Sequence, residues 1–255
     1  MPAMTVEAHR VLLGVLLFLN GGISVANTWS HNSMSYSHGV GLPKIVAAFT
    51  GRFFLPGLVY GCAILAWVLE VEPLWAGLTA ILVLMWFRRM EEREWPGKTV
   101  VSLGSYAPAA LCLLGVICGQ ALWHLGFLDN ASGGWDIAAG IIGGGWTLSG
   151  VNKLRDSGLA WMGARNMALF VAERSVIGNP YARRLRGWMM NSPNLLVLVG
   201  WFGLIGELAG LLFCFPQCRP MFAGFVCVFL IANWVFFGFM EHEWGLVMVA
   251  IAIAG

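Results

Sequence analysis

The sequence predicts an all-α fold, a polytopic integral membrane bundle of about seven or eight transmembrane helices plus one interfacial amphipathic helix. Hydrophobic residues make up 58% of the 255 residues, and charged residues only 11%. A typical soluble domain carries about 25% charged residues. The apolar residues gather in runs of about 20, the length that crosses a bilayer core. Residues 1–255 are therefore expected to form a single transmembrane domain.

Four spans are expected in the first half of the chain. They cover residues 11–26, 45–69, 73–87 and 101–127. The polar loop of residues 27–43 must lie outside the hydrocarbon core, where its backbone can be hydrated. His31 and His38 lie in this loop without a cysteine or acidic partner, so no metal site is predicted there. The basic residues fall beside spans rather than in a dense patch, so no nucleic-acid partner is expected.

The fifth span, residues 135–153, is the most informative because it is rich in glycine and ends on Lys153. Small residues let a neighbouring helix, or a flat ring system, approach the backbone closely. Lys153 has two interpretations. It either extends its ammonium to the headgroups as an anchor, or it serves a function, since an ionisable residue in a span is costly.

A second ionisable residue, Glu207, lies in the sixth span, residues 195–213. A carboxylate there must be protonated, or must meet a cation or a ligand. Residues 159–173, which precede it, mix apolar and charged side chains and predict the amphipathic helix, either at the interface or over a cavity. A span over residues 221–240 and a short apolar segment over residues 245–254 complete the chain.

The cysteines and the acidic triplet near the end give weaker signals. Cys214 and Cys218 could close a disulfide in an oxidising compartment, and the other four cysteines are expected to be buried core residues. Residues 241–243, Glu-His-Glu, point three ways around a helix and predict no metal site.

Several motifs resemble the core of the vitamin K-dependent gamma-carboxylase superfamily. They are residues 149–154 (Ser-Gly-Val-Asn-Lys-Leu), Trp161, Met162, Met167, residues 207–213 and Arg219. Residues 36–43 are similar to the matching loop of its bacterial relatives, the HTTM (horizontally transferred transmembrane) proteins. The likeness covers most of the chain and is sharpest over residues 143–219. In the carboxylase, the lysine that matches Lys153 is the base that deprotonates vitamin K hydroquinone.

The resemblance implies a membrane-embedded enzyme or maturation protein associated with a quinone or lipid. Lys153 is then the base and Glu207 its charge partner. The residues expected to bind a quinone or hydroquinone cofactor are Gly144, Trp146, Asn152 and Trp161. Burial in an apolar cavity lowers the pKa of a lysine amine, which suits it to act as a base. Peptide carboxylation is not expected, because residues 229–234 contain no match to the family's other catalytic histidine.

A non-catalytic subunit of a larger membrane complex is the alternative. Its 13 tryptophans and its glycine-rich fifth span would pack against lipids, pigments or partner helices. Membrane lipids are partners under both hypotheses, and the expected location is the cell (inner) membrane. An enzyme needs a reactive Lys153, whereas a structural subunit tolerates its loss.

Overall fold

The computed structural model describes residues 7–29, 53–94, 108–175, 182–237 and 242–255. Within these ranges every regular element is helical, which confirms the all-α prediction. The α-helices are α1 (Ala8–Trp29), α2 (Phe54–Val68), α3 (Pro73–Glu94), α4 (Pro108–His124), α5 (Gly133–Ser157), α6 (Ala164–Ser175), α7 (Arg183–Met190), α8 (Pro193–Leu208), α9 (Arg219–Phe237) and α10 (His242–Ala254). Short 3-10 segments cover Gly158–Met162, Ala209–Cys214 and Pro216–Cys218.

The helices group into two compact units. Unit 1 comprises Met1–Ala139 and Val249–Gly255, and unit 2 comprises Gly140–Met248. Helices α1 to α4 belong to unit 1, and α6 to α9 belong to unit 2. A single transmembrane domain over the whole chain stays a prediction.

Unit 1 has an apolar core with one buried arginine at its edge. Its fully buried side chains include Leu13, Tyr60, Trp67, Phe87 and Leu113. Arg10, on the first turn of α1, donates from Nη1 to the carbonyl oxygen of Trp67 at 3.1 Å and pairs with Glu70 at 3.0 Å. A cation at the C-terminal end of a helix interacts favourably with the helix dipole, so Arg10 fastens α1 to the end of α2.

The end of α2 has the hydrogen bonds of a Schellman motif. The amide of Val71 donates to the carbonyl oxygen of Ala66 at 2.8 Å, and the amide of Glu70 donates to that of Trp67 at 3.2 Å. Glu70 occupies the position where glycine is usual, with a φ of +58°. Its ion pair with Arg10 gives a physical reason for a charged side chain at this strained position.

Unit 2 buries an apolar cluster between α6, α7 and α8. The cluster consists of Met167, Val171, Met189 and Leu196. Met167 and Val171 lie one turn apart on α6 and face the same way. The amphipathic segment predicted over residues 159–173 is therefore divided into a 3-10 segment and α6, and α6 turns its apolar face toward α7 and α8.

Among the described residues, one helical stretch is both long and apolar enough to cross a membrane. It is Pro193–Cys214, the 22 residues formed by α8 and the 3-10 segment that follows it. Shorter apolar stretches of 10–17 residues cover Ala8–Gly22, Phe54–Val68, Pro108–His124 and Glu243–Ala254. The predicted spans thus coincide with helices where they are described. That seven or eight of them cross a membrane stays a prediction.

Several features named from the sequence lie outside the described residues. They are His31, His38, Glu241, the first residues of the second and fourth predicted spans, and most of the loop of residues 27–43.

The prediction that four cysteines are core residues is wrong for three of them. Cys112 is buried, Cys227 is half-buried, and Cys62 and Cys118 are exposed. Cys62 and Cys118 lie at exposed positions of apolar helices, and Cys227 lies beside Gly245, where an added Cβ would be 3.1 Å from its Sγ. Composition alone does not distinguish these positions. Cys214 and Cys218 are free thiols in this structure.

Candidate functional site

Helix α5 crosses α8 and its 3-10 extension along a seam of glycines. A Cβ atom built on Gly143 would lie 2.6 Å from the carbonyl oxygen of Gly210, and one built on Gly210 would lie 2.6 Å from that of Gly143. Real side chains do not come so close, so the two backbones touch here. Two turns along α5, a Cβ on Gly150 would lie 3.1 Å from the Cβ of Glu207. The two segments therefore run antiparallel, and the seam leads to Glu207.

Lys153 and Glu207 form an ion pair at the end of this seam. The Nζ atom of Lys153 donates a hydrogen bond to Oε1 of Glu207. The side chains keep 28% and 10% of their surface exposed, respectively. Lys153 follows Gly150 by one turn and lies on the same face of α5, which brings it to the carboxylate. The charge partnership predicted from the sequence is thus present, whereas the roles of base and partner stay predictions.

Trp161 covers the ammonium group of Lys153. The Nζ atom lies 5.1 Å from the centroid of the Trp161 ring, a cation–π distance. Helix α5 ends at Ser157, and Gly158 then adopts a φ of +55°, a left-handed conformation that glycine adopts without strain. This turn brings the 3-10 segment that carries Trp161 back toward Lys153.

Trp146 supports the site from inside unit 2. Its indole N–H donates to the carbonyl oxygen of Gly206 at 3.2 Å. Its ring contacts Phe229 and Trp244 edge-on, with centroids 6.0 and 5.8 Å away. Trp146 therefore holds the backbone next to Glu207 in place, whereas its predicted contact with a cofactor stays a prediction.

Two buried oxygen atoms at the seam have no hydrogen-bond partner in the described part of the chain. They are Oε2 of Glu207 and Oγ1 of Thr147. Thr147 lies beside Gly210, whose added Cβ would be 2.7 Å from Oγ1. Such atoms are costly to bury, by about 1–3 kcal/mol each, and often mark a functional position. Thr147 was not predicted from the sequence, although its spacing from Gly143 and Gly150 places it on the same face of α5.

Gly144 and Asn152 were also predicted to bind a cofactor, but they point away from the ion pair. Gly144 follows Gly143 by one position and Asn152 precedes Lys153 by one position, and a step of one residue is a turn of about 100° around the axis of α5. A Cβ on Gly144 would meet no described atom within 4 Å, and Asn152 is half-buried. The structure thus brings together Lys153, Glu207 and Trp161, places Trp146 behind them, and leaves Gly144 and Asn152 on other faces.

A second ion pair on α5 provides a contrast. Arg155 Nε donates to Asp156 Oδ1 at 2.8 Å, and both side chains are exposed. The hydrogen bond from Arg155 lowers the pKa of the Asp156 carboxyl. This pair is solvated and formed between neighbours in sequence, whereas the Lys153–Glu207 pair joins two helices and is largely shielded. Of these two pairs, the Lys153–Glu207 pair is the one held in apolar surroundings, and moving a proton from its lysine to its glutamate would leave both groups neutral.

Comparison of the chain with protein-family models, with curated proteins and with solved structures finds no match. The class that the fold and site define is an all-helical protein with an interhelical lysine–glutamate pair under a tryptophan.

Proposed function

We propose that this chain is a multi-pass membrane protein. Large apolar side chains lie exposed on the outer faces of several helices, among them Leu55, Leu198, Val228 and Ile231, each with at least 60% of its surface accessible. Soluble proteins rarely expose apolar patches of this extent, whereas lipid tails match them. The low charge content and the long apolar stretch Pro193–Cys214 support the same proposal.

Within this setting we infer a quinone- or lipid-associated enzyme in which Lys153 acts as the base and Glu207 as its charge partner. The observation that carries this proposal is the shielded Lys153–Glu207 pair beneath Trp161. An ion pair between two helices of an apolar bundle is seldom worth its desolvation for stability alone. Ionisable groups within membrane spans usually serve binding or proton transfer.

A hydroquinone fits the groups present. When bound, it would supply an acidic hydroxyl group. Glu207 still has an acceptor, Oε2, that lacks a hydrogen bond within the described residues, and this oxygen would accept a hydrogen bond that orients the ligand hydroxyl before Lys153 takes its proton. Trp161 would hold the ligand's ring by aromatic contact, as it now holds the ammonium. Opening of the pair by a side-chain rotation would be needed to expose Oε2, because this atom is buried.

Lys153 and Glu207 would each bind a proton at a different stage. As an ammonium, Lys153 cannot act as a base. To become a base, it would first pass a proton from Nζ to Oε1 of Glu207, which leaves an amine beside a carboxylic acid. The amine would then take the hydroxyl proton of the ligand at Nζ and become an ammonium again, while Glu207 retains the first proton. Glu207 thus sets when Lys153 is basic.

Binding of a short-chain hydroquinone tests this proposal. The ligand should raise the thermal midpoint of the wild-type protein in detergent, because it binds the folded state. Lys153→Met and Glu207→Gln should weaken binding by about 10- to 100-fold, the effect of losing a hydrogen bond to a charged group. Arg155→Met removes an exposed cation from the same helix and is the matched control. It should bind like the wild type.

The dimethyl ether of the same hydroquinone serves as the ligand control, since it has the ring but cannot donate a hydrogen bond. It should shift the midpoint much less than the hydroquinone does. Equal shifts of the thermal midpoint for both ligands, or an undiminished shift in Lys153→Met, would contradict the proposal.

One observation favours the structural-subunit alternative. Gly140 and Gly144 lie one turn apart on α5, and a Cβ on either would meet no described atom within 4 Å. A small-xxx-small pair turned outward is typical of a helix face that packs closely against another membrane helix. A partner helix bound there would make the chain a subunit of a larger complex.

A further inference from the structure

Helix α7 has one buried face and one exposed face of unusual composition. The buried face carries Met189, which packs in the apolar cluster of unit 2, and Arg186. The exposed face carries Arg183 and Arg184 together with Trp188, which keeps 59% of its surface accessible. Arg184 and Trp188 are four residues apart and so project from the same side of the helix.

Apolar side chains flank this exposed face. Leu185 and Met190 keep 39% and 40% of their surface accessible, although both could be buried without desolvating a charge. Arginine, tryptophan and exposed aliphatic side chains on one helix face are the composition of helices that lie in a membrane interface. There the guanidinium groups meet phosphates, and the tryptophan ring lies at the level of the headgroups.

The position of α7 in the chain places it next to a membrane surface if α8 crosses the membrane. Only Asn191 and Ser192 separate α7 from Pro193, where the stretch long enough to span begins. Two residues reach at most about 7 Å. The connection is also hydrogen-bonded, since the Ser192 amide donates to the Met189 carbonyl oxygen at 3.0 Å and the Leu195 amide to that of Ser192 at 3.0 Å. Helix α7 therefore lies at the end of the span in a fixed orientation.

We propose that the exposed face of α7 binds the headgroups of anionic phospholipids. Arg183 and Arg184 pair with the headgroup phosphates, and Trp188, Leu185 and Met190 contact the upper part of the acyl chains. Arginine suits this task because its planar guanidinium binds phosphate oxygens through two hydrogen bonds. The combination of charge and exposed apolar surface distinguishes a lipid from free phosphate, which has nothing to place against Trp188. This inference rests on the membrane location proposed above.

Lipid titration of the full chain in detergent, followed by native mass spectrometry, tests the inference. Phosphatidylglycerol should bind more tightly than phosphatidylcholine, by about five-fold for each arginine. The variant with Arg183→Gln and Arg184→Gln should lose most of this preference. Arg165→Gln, which removes an exposed arginine from α6, is the matched control and should keep it. Both side chains of the double variant are exposed, so an unchanged thermal midpoint should accompany the loss.

Two further measurements distinguish the binding of a phospholipid from the binding of free phosphate. Inorganic phosphate should not displace phosphatidylglycerol, whereas Trp188→Ala should weaken the binding of both lipids. Displacement by phosphate, or an equal preference in the wild type and the double arginine variant, would overturn the inference. Retention of the protein in membranes during an alkaline carbonate wash reports the membrane location separately. A retained protein without lipid preference overturns this inference alone, and release by the wash overturns both.

Discussion

Substitution of Lys153 by methionine should destabilise the protein by about 3 kcal/mol, the lower end of the range for breaking a buried ion pair. The loss arises because Glu207, with 10% of its side chain exposed, is left without its cation in apolar surroundings. Methionine has nearly the same length as lysine and fills its place, so the helices should stay packed. Glu207→Gln should cost less, because the stranded ammonium of Lys153 keeps 28% of its side chain exposed and can reach water.

The double variant with Lys153→Met and Glu207→Gln gives the decisive comparison. It leaves no stranded charge, so it should recover much of the stability lost in Lys153→Met. Thermal or chemical unfolding of the four proteins in one detergent measures the coupling. Arg155→Met and Asp156→Asn form the parallel control cycle on the exposed pair, where additive effects are expected. Additive effects in the Lys153–Glu207 cycle as well would show that the two groups do not depend on each other.

Gly143→Ala should destabilise unit 2 by about 1–3 kcal/mol, the typical effect of forcing a methyl group into a packed contact. The added Cβ would lie 2.6 Å from the carbonyl oxygen of Gly210, a backbone atom that can move only with its helix. Gly144→Ala is the matched control on the neighbouring residue, since its Cβ would meet no described atom within 4 Å.

The two alanine variants should therefore change stability in opposite directions. Replacing a glycine by alanine inside a helix stabilises it by up to about 1 kcal/mol when nothing opposes the side chain. Gly144→Ala should gain part of this stability. In Gly143→Ala the clash with the Gly210 carbonyl should cost more stability than the alanine contributes. Separation of α5 from α8 should also weaken the Lys153–Glu207 pair, so hydroquinone binding should fall with stability in Gly143→Ala alone. Equal unfolding midpoints for the two variants would contradict the close crossing.

The partnership of Lys153 and Glu207 could be predicted from the sequence because of a general constraint. Two ionisable residues of opposite charge in strongly apolar segments are far more stable together than apart. The helices could be predicted for a similar reason, since runs of apolar residues without strand-like alternation indicate helices. Trp161 lies over Lys153, and the turn at Gly158 that brings it there is visible only in the structure.

Other features depend on which face of a helix meets which neighbour, and the sequence does not specify this. Gly143 and Gly144 are adjacent and chemically identical, yet an added Cβ would meet a backbone at Gly143 and no described atom within 4 Å at Gly144. Nothing in the sequence singles out Thr147, whose buried hydroxyl beside Gly210 is visible only in the structure. The sequence predicted an amphipathic helix over residues 159–173, at the interface or over a cavity, but it did not specify that Met167 and Val171 of α6 pack inside unit 2 or that α7 exposes arginines beside Trp188.

Mass spectrometry of the small molecules that copurify with the protein in mild detergent tests the central proposal most directly. A lipid-soluble aromatic hydroxyl compound, a quinol or its quinone, should accompany the wild type and Arg155→Met and should be lost from Lys153→Met. Finding the same bulk lipids with all three proteins, together with a copurifying membrane protein, would contradict the enzyme proposal and support the structural subunit.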